Sequence, residues 1–509
     1  MPQQIEINAE FRQALDIIAN SCRHLFVTGK AGTGKSTLLN YCTEHCGKNI
    51  ILLAPTGVAA LNVKGQTIHR FFSFPVNISV EKIKSGEFQP RAKRIYKNLE
   101  TIVIDEVSML RADILDCINA FLQLYGPEPE KPFGGVQMIF VGDLYQLPPV
   151  ISGQEQSFFA LKYASPYFFS AEIFRKIPLE VVELQKIYRQ KDQDFIELLS
   201  RIRSNSVTDE DILRLNSRLA PNTDNQAFQD FTIRLTATNQ QADDINRHCL
   251  NALDGIAYCA SAVIDGSFTP EYYPAAEQLF FKLGAQIMFL NNDAKSRWVN
   301  GSLGYIEKIS LENGKIKHIS VRLRDNARLV EVFPYSWEIF KYKLEGKEIV
   351  SEVAGSFTQY PFRLAWAVTI HKSQGKTFDN VIIDIGRGTF AAGQLYVALS
   401  RCTSFEGLRL SRPISRANIM TDYRIFDFMS QYSLQELSAE NRGLILNSAI
   451  SGRQKLEIIY RKSNGELSRR IIVPLGIRGG NLLAYCTQRG ERRTFTLERI
   501  LEAHVYNDG

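Results

Sequence analysis

No apolar run in this chain approaches the ~20 residues that a membrane-spanning helix needs, which argues against a helical membrane protein. The eight cysteines, at 22, 42, 46, 117, 249, 259, 402 and 486, include no CxxC pair. Neither a zinc ribbon nor a disulfide framework is therefore indicated, and the thiols read as small buried hydrophobes. The opening MPQQIEINAE has neither a basic start nor an apolar stretch, so the expectation is a cytoplasmic protein without a secretory signal. Internal repeats and low-complexity segments are missing too. With 45% hydrophobic against 22% charged residues, the composition is that of a folded globular protein. Charge of one sign is scarce over most of the length: residues 1–450 carry 49 Lys+Arg against 48 Asp+Glu, whereas 451–509 carry 11 against 6. A basic terminal module on a nearly neutral body suits a polyanionic partner, or simply a solvated basic surface. At 509 residues and about 100–200 residues per domain, three or four domains are expected.

Short apolar runs mark the organisation. HLFVT (24–28), IILLA (50–54), TIVI (101–104) and QMIFV (137–141) are too short for helices and nearly continuous in apolar character, as strands of a parallel sheet covered on both faces are. A second set, FTIRLT (231–236), RLAWAVT (363–369) and NVIIDI (380–385), predicts another α/β layer. Between the strands of this second layer, 255–355 reads as a β insertion with turn signals at Asn300-Gly301 and Asn313-Gly314. Beyond 453, KLEIIYR and turns at Asn464-Gly465 and Gly479-Gly480 predict a further β module.

Two segments end in Gly-Lys-Ser/Thr: VTGKAGTGKST (27–37) and IHKSQGKT (370–377). A phosphate loop needs a first glycine five residues before the second, which Gly29 and Gly34 satisfy; Ile370 occupies that place in the other segment. The first lies between a predicted strand and the helical spacing of STLLNYCTEHC (36–46). Its glycines, Gly29, Gly32 and Gly34, let backbone N–H groups surround phosphate oxygens. Lys35 would neutralise the outer phosphates, and Ser36 would ligate Mg²⁺. The run IVIDEVSML (102–110) brings Asp105 and Glu106 out of a strand end, where one acid can hold Mg²⁺ through water and the other can orient and deprotonate an attacking water; taken alone, such a pair could equally cap a helix. In VGDLYQLPPV (141–150), Gln146 is a neutral side chain able to report the γ-phosphate.

These segments together resemble the superfamily-one DNA helicases of the PIF (petite integration frequency) family, relatives of the RecD-type enzymes. APTGVAALNVKGQTIHRFF, LQKIYRQ (184–190), LTATNQQADDIN (235–246), GAQIMFLNND with WVNGSLG, QYPFRLAWAVTIHKSQGKTFD (359–379) and GQLYVALSRCTSFEGL (393–408) stand in that family's order. The resemblance implies ATP and Mg²⁺ as cofactors and an α/β fold of two RecA-like P-loop domains with parallel sheets. The first would span 1–180, with a small insertion near 70–96. The second would comprise 181–254 and 356–435, interrupted by an SH3-like β insertion at 255–355. It implies ATP-driven 5′-to-3′ translocation on single-stranded DNA and duplex unwinding, in replication, recombination, repair or telomere maintenance. Forked DNA enters as a substrate by the same resemblance, with G-quadruplexes and RNA–DNA hybrids as open alternatives, and a monomer is expected.

The resemblance also assigns residues. Lys35, Asp105, Glu106, Gln146, Arg189 and Arg401 would be catalytic, both arginines reaching the γ-phosphate from the opposite domain. Gly29, Gly32, Thr33, Gly34, Ser36, Thr37, Gly375 and Lys376 would hold nucleotide. Thr56, Thr67, His69, Thr236, Asn239, Thr369, His371, Lys372 and Ser373 would line the strand path, with Gln394 either coupling nucleotide to DNA or sitting on a helix surface. Phe71, Phe72 and Phe74 are open to two readings, base stacking at the fork or core packing. The family's adenine-reading Gln after Asn-x-Glu is Phe11 here, following Asn8 and Glu10, with Gln13 nearby. Residues 440–509 resemble a WYL-type domain through VPLGI and AYCTQRGERRTFTLERI, although Gly480-Asn481 replace its Trp-Tyr. Arg489, Arg492, Arg493 and Arg499 would form a phosphate- or nucleotide-binding face, the first three assigned to DNA, or an idle basic surface.

Overall fold

The computed structural model describes residues 7–506, except 76, 91–92, 152–154, 191, 221–230, 347, 387, 389–390, 431–438, 463–466 and 488; the expected turn at Asn464-Gly465 lies outside them. Six strands, β1 (Leu25–Gly29), β2 (Ile50–Ala54), β3 (Gln66–Thr67), β4 (Thr101–Ile104), β5 (Gln137–Val141) and β6 (Glu180–Leu184), form an all-parallel sheet in the order β3-β2-β4-β5-β1-β6. Every residue of β1, β4 and β5 is buried, which is why these runs carry no polar alternation. Leu25 and Val27 pack with Phe11, Ile18, Leu38 and Leu39 of the helices Ala9–Asn20 and Lys35–His45, while Phe26 packs into the core on the other face. Each such side chain contributes about 1.5–3 kcal/mol by leaving water.

The boundary expected after residue 180 moves. β6 pairs with β1 over five residues, Leu25↔Glu180 to Gly29↔Leu184, because β1 would otherwise expose one edge of its hydrogen-bonding groups. The second lobe has a four-stranded parallel sheet in which β7 (Ile233–Thr236) lies between Ala367–Thr369 and Val381–Asp384, with Leu408–Leu410 at the edge. RLAWAVT is not one strand. Phe362–Leu364 pairs antiparallel with Gln286–Phe289, and only Ala367–Thr369 joins the parallel sheet. The β insertion thus runs past 355, whose position falls inside the strand Glu348–Gln359.

Asn313-Gly314 makes the expected two-residue hairpin, with φ of +52° and +75° between the paired Glu312 and Lys315, the mirror-image turn that suits strand twist. Asn300-Gly301 instead closes a longer loop, in which Trp298 stacks on Phe289 at 4.4 Å and donates to Asn291 Oδ1 at 3.0 Å. The C-terminal part is a five-stranded antiparallel sheet, Leu456–Arg461 to Ile500–Val505, with helix Ala439–Gly452 packed on it through Leu446 and Ala449. Among the described residues no helix is long and apolar enough to cross a membrane, and all eight cysteines are free.

Candidate functional site

The chain leaves β1 at Gly29, with φ of +151°, and turns through Gly32 and Gly34 at +83° and +91°. A Cβ on Gly29 would lie 2.7 Å from Leu184 O and one on Gly32 2.4 Å from Arg189 Cβ; the loop is closed to side chains there by what lies over it. Thr33 Oγ donates to Lys30 O at 3.0 Å, and Lys35 Nζ donates to Gly29 O at 2.8 Å and Lys30 O at 3.1 Å. Ser36 and Thr37 stand exposed in the first turn of the following helix, where free N–H groups and the helix dipole favour an anion.

Asp105 and Glu106 follow β4, with Glu106 left-handed at φ +50°. Burial, then the neighbouring Glu106 charge, pushes Asp105 up to about 7. Burial raises Glu106 as well, against the charges of Lys35, Arg401 and Arg189. One carboxylate therefore feels a cation from the phosphate loop and two arginines. Arg401 is almost wholly buried at 1% exposure. Its Nε donates to Val397 O at 2.8 Å and its Nη2 to Ser400 Oγ at 2.7 Å; Nη1 lies 3.4 Å from Ser373 O and Lys376 O. Burial and then Arg189 lower its pKa to about 9.

The two arginines do not both come from the opposite lobe. Arg189 lies just beyond β6, where Tyr188 N donates to Gly32 O at 2.9 Å; its guanidinium then reaches over to donate to Gly375 O at 3.0 Å. Gly375 and Lys376 thus present backbone carbonyls to the two arginines. The Lys376 stem lies against Gly301, and burial and the Arg363 charge depress its pKa well below the usual lysine value. Gln146 is buried on the loop after β5. Gln394 is 1% exposed, which removes the helix-surface reading.

Among the expected strand-path residues, Thr67, Thr236, Thr369 and Ser373 are buried, and their hydroxyls shape backbone. Thr67 caps helix Ile68–Phe72, Thr236 donates to Thr238 O at 3.1 Å, Thr369 accepts from Lys372 N at 3.3 Å and Ser373 donates to Ile370 O at 2.7 Å. Thr56 caps helix Gly57–Asn62. Asn239 and Lys372 are exposed, and His69 and His371 are half-buried, with imidazole pKa values lowered chiefly by burial. Phe71, Phe72 and Phe74 pack with Tyr96 and Phe121 in the core, so the fork-stacking reading is not supported. Phe11 is likewise buried, edge-on to Tyr41 at 5.9 Å, while Gln13 is exposed. Arg492 and Arg493 are consecutive on the strand Glu491–Thr496 and so point to opposite faces. Arg492 pairs in register with the exposed Tyr485, whereas Arg493 is held by Glu491 at 3.3 Å. Arg489 precedes that strand in a turn and Arg499 follows it in a helical turn, so the four do not share one face.

Sequence reasoning missed the β insertion's hold on the first lobe. The Tyr272 hydroxyl lies 2.6 Å from Thr67 Oγ, Arg70 donates to Ser267 O at 3.2 Å, and a Cβ on Gly57 would meet Glu271 O at 2.4 Å. Tyr342 accepts from Leu52 N at 3.2 Å and packs edge-on against Phe71. No motif marks these tyrosines. Asp143 lies within VGDLYQLPPV and Tyr396 within GQLYVALSRCTSFEGL, neither with a role that the sequence assigns, and Arg203 lies in no motif.

A PIF1-like helicase model matches residues 6–212, a UvrD-like helicase C-terminal model 364–404 and a WYL model 444–505. The chain is 32% identical over 439 residues to the ATP-dependent DNA helicase Pif1 of Bdellovibrio bacteriovorus, covering 84% of this chain and 93% of that protein. To the mouse ATP-dependent DNA helicase PIF1 it is 33% identical over 438 residues, covering 83% of this chain, and it spans 62% of that relative's length. Among solved structures, Bacteroides Pif1 in complex with ADP-AlF4 superposes with TM-score 0.78 at 37% identity, covering 84% of this chain and 97% of the other. The unliganded form gives 0.75 at 36%, covering 85% and 98%, and the form bound to single-stranded DNA gives 0.58 at 36%, covering 84% and 97%.

Proposed function

Since this chain belongs to the PIF1-like helicase family, we propose that it is an ATP-dependent DNA helicase that moves 5′-to-3′ along single-stranded DNA and unwinds duplex, in genome maintenance. The observation that carries this reading is that the buried Glu106 carboxyl lies within the electrostatic influence of both Lys35 from the first lobe and Arg401 from the second. Lys35 and the loop N–H groups would bind the phosphates, with the loop residues Gly29, Gly32, Thr33 and Gly34 as cradle and Ser36 and Thr37 in the first helical turn. Glu106, whose raised pKa suits a proton acceptor, would take the proton of the attacking water. Arg189 and Arg401 would stabilise charge on the transferring oxygens. Because Arg401 is held by its own lobe, nucleotide binding draws the lobes together and hydrolysis releases them.

Mg²⁺ fits the donor set. Among the described residues no cluster of three or more His, Cys, Asp or Glu could hold a metal alone, and Mg²⁺ characteristically uses one or two protein oxygens plus substrate phosphates. Ser36 and Asp105 would be those oxygens here, and the ion would supply charge neutralisation to the phosphates. With Phe11 buried where the family reads adenine, base selectivity is expected to be weak.

For the strand, Thr56, His69, Asn239, His371 and Lys372 offer donors to phosphate in a sequence-independent path. The insertion's contacts on Thr67 and Gly57 would close the first-lobe part of that path. In agreement, the chain superposes better on the ADP-AlF4 and unliganded Bacteroides structures than on the one bound to single-stranded DNA. Tyr272→Phe, which removes the hydroxyl facing Thr67, is expected to tighten single-strand binding by about two- to tenfold, read by fluorescence anisotropy; unchanged or weaker binding would count against closure by this contact. We further assign a monomeric, cytoplasmic protein, a first domain ending after β6, and a WYL-like module whose Arg489 and Arg492 add affinity for nucleic acid. The decisive experiment is ATP-dependent unwinding of forks carrying only a 5′ or only a 3′ tail, on all-DNA and RNA–DNA duplexes. Unwinding confined to the 5′-tailed DNA fork is the expected result, and no ATP-dependent unwinding of any fork would end the proposal.

A further inference from the structure

Asp143, two residues beyond β5, is 1% exposed and stands at the centre of a buried polar junction. From its own loop it accepts from Tyr145 N at 3.2 Å and from Gln146 Nε2 at 3.4 Å. From the second lobe it meets Arg203 Nη2 at 3.2 Å and the Tyr396 hydroxyl at 3.5 Å. Arg203 ends the helix Gln193–Arg203, and its guanidinium covers the Tyr145 ring at 4.0 Å. Tyr396 lies on the helix Gln394–Leu399, and its oxygen also accepts from Ala31 N of the phosphate loop at 3.2 Å. At the start of that helix, a Cβ on Gly393 would fall 2.3 Å from Tyr145 O and 2.6 Å from Gln146 O. The second lobe therefore touches the Gln146 loop through backbone, through an ion pair and through a phenol.

Stability does not account for such a junction. A buried ion pair about breaks even against apolar groups of the same shape, since desolvation offsets the attraction. What it supplies is directionality: the two carboxylate oxygens can serve Gln146 and Tyr145 in this geometry only while Arg203 and Tyr396 hold them. We propose that Arg203 and Tyr396 are positioning residues that orient Gln146 through the carboxylate of Asp143, so that closure of the second lobe sets the group that senses the outer phosphate. This rests on the helicase reading above. When the lobes part, Asp143 loses both partners from the second lobe and Gln146 loses its fixed acceptor. When they close, the same contacts rebuild the sensor and bind Ala31 of the phosphate loop to the second lobe.

The test is steady-state ATP hydrolysis by the full chain, with and without a single-stranded oligonucleotide, for Arg203→Met, Arg203→Lys, Tyr396→Phe, Gln146→Ala and the pair Arg203→Met with Gln146→Ala. Arg203→Met should lower DNA-stimulated kcat about tenfold with little change in KM for ATP, and Arg203→Lys should recover part of it. In the Gln146→Ala background, Arg203→Met should cost nothing further, because the group it positions is gone; a purely structural role would persist. Undiminished kcat in Arg203→Met, or an equal loss in both backgrounds, overturns the relay. If Arg203→Met does not fold, Tyr396→Phe, which deletes one oxygen, carries the same comparison. A wild-type protein whose hydrolysis ignores DNA would overturn the helicase reading, whereas DNA-stimulated wild-type turnover with additive losses overturns the relay alone.

Discussion

Replacing Arg401 by alanine should lower DNA-stimulated ATP turnover by about 10³–10⁵-fold while nucleotide affinity changes little. Four acceptors of its own lobe, Val397 O, Ser400 Oγ, Ser373 O and Lys376 O, surround the guanidinium, so its direction is set before nucleotide arrives. Such preorganised charge acts most strongly on the transition state, when negative charge moves onto the transferring oxygens. Lysine is not a substitute. The surroundings that bring Arg401 down to about 9, acting on a lysine that starts lower, place it in roughly the neutral range. Wild-type kcat/KM should rise with increasing pH, because burial raises the Glu106 carboxyl above its usual range and it must lose its proton before it can accept one from water. Arg401→Lys should rise likewise and then fall as its amine deprotonates, giving a narrow bell. Steady-state ATPase assays between about pH 6 and 9 distinguish the two, and parallel profiles for wild type and Arg401→Lys would show that this charge does not act in turnover.

What the sequence made legible was local. The phosphate loop, the acid pair after β4 and the apolar runs of both sheets are each contained in a few consecutive residues, so spacing alone locates them. Contacts between distant segments were not. The boundary expected after residue 180 cuts into β6, whose place in the first sheet is set only by its pairing with β1, some 150 residues earlier. The family resemblance groups Lys376 with nucleotide, and the approach of its stem to Gly301, 75 residues earlier, is a contact that no local spacing carries. The three phenylalanines after His69 carried no periodicity that separates a stacking platform from a core; Phe121, some 50 residues on, does so by packing against Phe72 and Phe74. Arg203 stands in no motif. Its meaning comes from Asp143, 60 residues earlier and 3.2 Å away.

Lys35→Ala should reduce hydrolysis by about 10²–10³-fold or more and abolish unwinding, while single-strand binding persists. In the structure the amine donates to two carbonyls of its own loop, and burial lowers its pKa against the opposing pull of Asp143, Glu106 and Asp105. Its removal therefore does two things. The phosphates lose their main counter-charge from the first lobe, and Asp105 and Glu106 lose a cation that favours their ionised forms. Both carboxyls should then hold protons to higher pH, and residual hydrolysis should shift to more alkaline conditions. Stability follows with a definite sign. A carboxyl whose folded pKa exceeds its unfolded value binds more protons when folded, so stability falls as pH rises between the two. For Asp105 that window runs from 3.8 to about 7 in the wild type and extends upward in the variant, so the Tm difference between them should widen as pH passes neutrality. Single-strand affinity should stay near wild type because Asn239 and Lys372 lie outside the junction of Lys35 with the acids. Anisotropy with a labelled oligonucleotide, nucleotide omitted, measures it directly, and a loss of DNA affinity equal to the loss of hydrolysis would mean that phosphate and strand do not occupy separate sites.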